Sequence, residues 1–156
     1  MPELKHILLV EDDPYDAELI ITGLAETKLA NGVVVARDGE EALDYLYHRG
    51  KFAGRTDGYP AVVLLDLKLP KIDGKEVLEH LKSDKVLRCL PVVILTSSKE
   101  EQDIIEAYDL GANSYVVKPV DFHEFANVIK LISAYWAIVA EPPIEGVCKK
   151  KIGSMQ

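Results

Sequence analysis

Ala61-Val62-Val63-Leu64-Leu65-Asp66 is the stretch that decides the fold. Five apolar residues without alternation make a strand that is greasy on both faces, and such a strand belongs inside a parallel sheet covered by helices on both sides. The run stops at a carboxylate. Open parallel sheets bind ligands beyond the carboxyl ends of their strands, so Asp66 stands at the rim of the core, where a charged group keeps its access to solvent. The same pattern recurs three times. Ile7-Leu8-Leu9-Val10 runs into Glu11-Asp12-Asp13, Pro91-Val92-Val93-Ile94-Leu95 into Thr96-Ser97-Ser98, and Ser114-Tyr115-Val116-Val117 into Lys118-Pro119. Acids, a hydroxyl and a lysine therefore gather on one edge of one sheet.

Helical segments separate these strands. Asp13-Pro14 offers an N-cap followed by proline at the first helical position, opening a helix to about Thr27. Val33-Val34-Val35-Ala36 is a short strand, and Asp38-Gly39-Glu40-Glu41 opens a second helix through Leu46. Residues 49–60 read as a polar connection of more than the usual length. Val77, Leu78 and Leu81 mark a third helix; Ile104, Ile105, Tyr108 and Leu110 mark a fourth, stopped by Gly111. Asp121-Phe122-His123-Glu124 has the form of a capping box and opens a last helix to about Val139. Five strand–helix units predict an α/β, doubly wound (βα)5 fold with a five-stranded parallel sheet and right-handed crossovers. The flavodoxin-like strand order 2-1-3-4-5 suits five units and sets strands 1 and 3 side by side at the switch point, making Asp12 and Asp66 neighbours.

Clustered carboxylates repel one another, and a cation lets all of them stay ionised. Oxygen-only donors select a hard ion, and Mg²⁺ favours a few carboxylates with water and phosphate completing its octahedron. A carboxylate beside such an ion can attack phosphorus and form an acyl phosphate. Lys118 supplies an ammonium for a phosphate oxygen, and Thr96 supplies a hydroxyl donor.

Glu11-Asp12, Asp66, Thr96 and Lys118-Pro119, each after its strand, resemble the receiver domain of bacterial two-component response regulators over roughly residues 4–140. The resemblance implies that Asp66 accepts a phosphoryl group from a histidine kinase. It implies that Glu11, Asp12 and Asp66 hold Mg²⁺ together with the Lys68 backbone carbonyl, that Thr96 and Lys118 bind phosphoryl oxygens, and that the Lys118–Pro119 bond is cis. Tyr115 occupies the position of an aromatic that swings inward when the threonine moves toward phosphate, making Thr96 and Tyr115 the switch pair. Val33 to Tyr47, the long connection after it and Tyr135-Trp136…Pro142-Pro143 look like the small regulators paired with bacterial and cyanobacterial phytochromes. That narrower likeness implies a phytochrome-type sensor kinase as partner, an unknown downstream protein and a homodimer; Tyr135 and Trp136, which would otherwise read as core, are hard to bury fully near the end of a small domain and are expected at the interface. The likeness also implies a phospho-accepting switch in place of an enzyme. On this resemblance residues 1–140 are expected to form the receiver and 141–156 a short extension without an output domain. Lys68 and Ser98, each two residues beyond a site residue, are expected to tune the lifetime of the phosphate.

The rival readings fail on particular residues. A phosphatase with an aspartyl nucleophile needs a second acid two residues on, where this chain has Lys68. A flavodoxin-like electron carrier needs a first loop rich in Ser, Thr or Gly, and Glu11-Asp12-Asp13 would repel its phosphate. A net charge of −8 argues against sequence-independent binding to nucleic acid or anionic membrane. Cys89 and Cys148 have no metal-ligand spacing and need not pair, which fits a reducing cytoplasm. His6, His48, His80 and His123 are scattered and show no partner arrangement.

Overall fold

Five strands run parallel in the order β2-β1-β3-β4-β5: β1 (Ile7–Val10), β2 (Val33–Ala36), β3 (Val62–Leu65), β4 (Val92–Thr96) and β5 (Ser114–Val117). The structure, a computed structural model, describes residues 6–25 and 32–136. Between the strands lie α1 (Pro14–Ala25), α2 (Gly39–Leu46), α3 (Gly74–Ser83) and α4 (Glu101–Asp109); α5 (Phe122–Ala134) follows β5. The predicted end of the last helix at Val139, the loop from 26 to 31 and the extension after 140 lie outside the described residues.

The central strands β1, β3 and β4 are buried along their whole length, as their uninterrupted apolar runs require, whereas most of β2 and all of β5 are half-buried edges. Alternate residues feed two cores. Leu8, Val10, Val63, Leu65 and Ile94 pack with Leu43, Leu46, Leu78 and Leu81 on one face. Ile7, Leu9, Val62, Leu64 and Leu95 pack with Ile20, Leu24, Phe125 and Ile129 on the other. Each fully buried side chain of this kind contributes about 1.5–3 kcal/mol, so the sheet is a rigid base for whatever its rim carries. The helix starts are fixed by aspartates: the Asp38, Asp73 and Asp121 side chains accept from the backbone N–H of Glu41, Glu76 and Glu124. Asp13 Oδ1 accepts from Tyr15 N at 2.8 Å. Helix α4 forms where its apolar residues predict, but Ile105 and Tyr108 face outward and Ala107 is its buried residue.

The amino edge of the sheet departs from expectation. Residues 49–60 do not simply cross the surface. Arg55 lays its guanidinium over the Tyr45 ring at 3.8 Å and donates to Tyr45 O and Asp57 Oδ1, both at 2.7 Å. Tyr45 OH donates to Asp57 Oδ2 at 2.5 Å and lies 2.7 Å from His6 Nε2. His6 thus has the partner arrangement that its position in the sequence conceals. Burial holds its imidazole below the ordinary value, against the pull of Asp57 and with help from Arg55. Cys89 is disulfide-bonded, where the sequence reading left the two cysteines apart; its partner lies outside the described residues.

Candidate functional site

Register brings the rim residues level. Val10 pairs with Leu65 across the β1–β3 seam, so Glu11 and Asp66 emerge side by side, and Thr96 pairs with Val117, so Lys118 follows directly. Backbone bonds extend the sheet by one residue here: Asp66 N donates to Val10 O at 3.1 Å and Lys118 N to Thr96 O at 2.7 Å. No peptide among the described residues is cis, so the Lys118–Pro119 bond is trans, against expectation. Trans is the intrinsically favoured isomer before proline by about 0.5–1 kcal/mol, and in this form the lysine side chain still enters the acid cluster.

Lys118 is the centre of that cluster. Its side chain is 8% exposed, and its ammonium donates to Glu11 Oε1, to Asp16 Oδ2 at 2.7 Å and to Asp66 Oδ2 at 2.9 Å. Asp66 Oδ1 accepts from Lys68 N at 3.2 Å. Burial acts on each of these groups in the direction of neutrality, and the outcome differs from group to group. Burial pushes Glu11 up to about 8, with the Asp66 charge reinforcing it and Lys118 opposing it. Burial also pushes Asp66 up, but the Lys118 charge and hydrogen bond and the Lys68 N–H outweigh it, so Asp66 sits below its ordinary value. Burial pushes Lys118 down, but its bonds to Asp16 and Glu11 outweigh it, so Lys118 stays charged well above its ordinary range. One ammonium cannot neutralise this many carboxylates, and the surplus calls for a proton or a cation.

Three of the acids could hold that cation. Glu11, Asp12 and Asp66 each present a ligand atom, all within 4.8 Å of one another. Asp12 is exposed, leaving one side of the group open to water. An all-oxygen set open to solvent suits a hard dication that retains part of its hydration shell.

Thr96 is fully buried at the end of β4, and its Oγ1 has no hydrogen-bond partner among the described residues. Beyond it, Ser98 Oγ donates to Asp103 Oδ2 at 2.6 Å. Lys75 donates to Asp103 Oδ1 at 2.7 Å and to Glu106, tying α3 to α4. Tyr115 OH donates to Ser98 O at 3.0 Å, so the aromatic on β5 is latched to the loop that follows Thr96. Lys68 is exposed beside a cavity of about 310 Å³, which Leu67, Leu69, Asp73, Lys75 and Asp103 also line. Tyr135 and Trp136 lie far along the chain from the rim: Tyr135 is 52% exposed, while Trp136 packs against the α1/α5 core.

The sequence-predicted residues Glu11, Asp12, Asp66, Thr96 and Lys118 thus share one rim, with Tyr115 joined to it through Ser98. Asp16 was missed as a site residue. In the sequence it reads as an acid in the first turn of a helix, and only the approach of β5 gives it a lysine partner.

Comparison with known proteins is consistent with this geometry. A family model described as the response regulator receiver domain matches residues 7–130. The bacteriophytochrome response regulator AtBRR is 57% identical with a TM-score of 0.71, covering 90% of this chain and 100% of that one. The phosphorylated cyanobacterial phytochrome response regulator RcpA is 41% identical with a TM-score of 0.83, covering 89% of this chain and 98% of that one. The probable methanogenesis regulatory protein FilR2 of Methanothrix harundinacea is 43% identical over 131 residues, 83% of this chain and 82% of that protein.

Proposed function

The chain belongs to the response regulator receiver family, and from that premise we propose that Asp66 is its phosphoacceptor, loaded in a Mg²⁺-dependent reaction by a phytochrome-type sensor histidine kinase. The observation that carries this reading is the convergence of Asp66, the Glu11–Asp12 pair and the ammonium of Lys118 on one rim. The phytochrome pairing rests on the likeness to AtBRR and RcpA.

In the transfer, an oxygen of the Asp66 carboxylate forms a bond to phosphorus as the phosphorus–nitrogen bond of the phosphohistidine breaks. The imidazole leaves with the electron pair and takes up a proton. Glu11, Asp12, Asp66 and the Lys68 carbonyl would hold the cation, which supplies charge neutralisation for the phosphoryl oxygens. Lys118 offers one N–H to a phosphoryl oxygen, and the phosphoryl group brings about two negative charges. Thr96 has a buried hydroxyl with no competing partner, so turning toward that oxygen costs it no existing bond. As Thr96 moves, Tyr115 exchanges its bond to Ser98 O for the space vacated, and the surface formed by α4, β5 and α5 changes. Helix α4 exposes Ile105 and Tyr108, and α5 and its end expose Leu131 and Tyr135, which supports assignment of the homodimer or downstream-partner contact to these elements.

The flavodoxin reading is not favoured, because the rim presents carboxylates where an FMN phosphate would need donors. Incubation with Mg²⁺ and acetyl phosphate, followed by intact-mass measurement, tests the proposal. A gain of one phosphoryl group, about 80 Da, absent in Asp66→Asn and with EDTA, is the expected result. The same gain in Asp66→Asn would reject Asp66 as the acceptor.

A further inference from the structure

Resting on the phosphoacceptor reading above, we infer that Asp16 is a positioning residue for Lys118, holding its ammonium at the rim through the arrival of the cation and of the phosphoryl group. An ammonium has three N–H donors, and in this structure the donors of Lys118 go to Glu11, Asp16 and Asp66. Two of those acceptors belong to the group of carboxylates that can hold a metal, Glu11 and Asp66; Asp16 does not. When Glu11 and Asp66 turn their charge to a cation, Asp16 is the one of the three acids that stays with the lysine. Its side chain is 27% exposed, against 2% for Glu11 and 11% for Asp66, so it approaches the lysine from the solvent side of the cluster. It also stands in the first turn of α1, so its bond ties the lysine of the β5 end to a separate element. The ammonium thereby keeps one bond while it turns a donor to a phosphoryl oxygen.

An acid in the first turn of a helix also interacts favourably with the helix dipole, and the test separates that structural role from positioning. Mg²⁺-dependent phosphorylation by acetyl phosphate is measured for wild type, Asp16→Ala, Asp16→Asn, Asp16→Glu and each change combined with Lys118→Ala. Asp16→Ala is expected to slow phosphoryl uptake roughly tenfold, the order set by one charge-assisted hydrogen bond. Asp16→Glu restores most of the rate, Asp16→Asn falls between, and in the Lys118→Ala background Asp16→Ala changes the rate by less than about twofold. Equal losses in both backgrounds, or faster uptake by Asp16→Ala, overturn the inference.

A second readout does not depend on phosphorylation. Brief treatment with acetic anhydride in Mg²⁺, read by peptide mass spectrometry, should modify Lys118 several-fold faster in Asp16→Ala than in wild type, with exposed Lys99 as the control. Unchanged labelling of Lys118 overturns the positioning role whatever the phosphorylation result. Failure of the wild type to gain phosphoryl mass overturns the functional reading alone.

Discussion

Thr96→Val separates the two tasks assigned to this residue, because the structure gives its hydroxyl no present employment. Thr96 is 0% exposed and its Oγ1 has no partner among the described residues. A buried hydroxyl left unpaired costs about 1–3 kcal/mol. Valine fills nearly the same volume and keeps the β-branched shape that strand β4 favours, so the exchange removes that cost without opening a cavity. The variant should be about 1–2 kcal/mol more stable than wild type in the unphosphorylated state. For a urea dependence of roughly 2 kcal/mol per molar, the unfolding midpoint should rise by about 0.5–1 M. The assay is equilibrium urea unfolding followed by far-UV circular dichroism, with the slope compared between variants. The same variant should lose its conformational response. With beryllofluoride as a mimic of the acyl phosphate, amide exchange over Ser98–Asp103 should change in wild type and stay unchanged in Thr96→Val. A midpoint lowered by a similar amount would refute the reasoning, since it would mean that the hydroxyl is already bonded and is not free to follow phosphate.

Three further outcomes follow from particular contacts. A Cβ on Gly74 would lie 2.2 Å from Asp66 O and 2.5 Å from Leu67 Cα, both backbone atoms; Gly74→Ala should therefore cost about 1–3 kcal/mol and slow phosphorylation by displacing Asp66, and wild-type thermal stability with a wild-type rate would refute this. His6 has its pKa held below the ordinary 6.5 by burial, so the unfolded chain takes up a proton before the fold does. Its contribution to stability is complete above about pH 6.5 and is lost as the pH falls from there toward the folded value; urea midpoints between pH 7.5 and 5 should fall less steeply in His6→Gln, and parallel slopes would exclude the effect. Lys75→Met removes the tie from α3 to Asp103 and Glu106; it should cost less than about 1 kcal/mol, as a partly exposed ion pair does, yet speed amide exchange in α4, and unchanged exchange there would show that the tie does not hold α4.

What could be read from the sequence was what the buried sheet dictates. Runs such as Val62–Leu65 and Val92–Leu95 carry no alternation because both faces are covered, and a run that ends in a charged or hydroxyl residue announces the rim. The gathering of Glu11, Asp12, Asp66, Thr96 and Lys118 on one rim followed from that logic, whereas the strand order came from the flavodoxin-like arrangement that suits five strand–helix units. What stayed hidden depends on contacts between distant segments. Asp16 and Lys118 are separated by 102 positions, and no local pattern links them. His6, Tyr45, Arg55 and Asp57 form a polar pin only once the 49–60 segment folds back onto Tyr45. Helix periodicity found α4 but not its orientation, because its Ile105 and Tyr108 point outward. The isomer of Lys118–Pro119 rests on a small energy difference that no sequence pattern exposes.

The rules of burial are broken in several places, and where they are broken tells function from structure. Arg55 Nη2, Ser133 Oγ and Thr96 Oγ1 are all buried without a hydrogen-bond partner among the described residues. Arg55 spends its other donors on Tyr45 O, Asp57 and Gly58 O, so its orphan is the remainder of a satisfied anchor. Ser133 is buried in α5 at the same helical spacing as Phe125 and Ile129, among the apolar contacts of that helix. Thr96 alone adjoins a second violation, a surplus of carboxylate around one buried ammonium, where burial, reinforced by the Asp66 charge, pushes Glu11 toward its neutral form. A fold seeking only stability would remove either defect with one substitution, valine for the threonine or an amide for one acid. On the proposed reading they complement each other: the surplus carboxylates would hold a cation, and a phosphoryl oxygen on Asp66 would be the acceptor that the orphan hydroxyl lacks. Thr96→Val and Asp16→Ala should then show opposite signs, the first raising stability while abolishing the response, the second leaving the fold intact while slowing its loading.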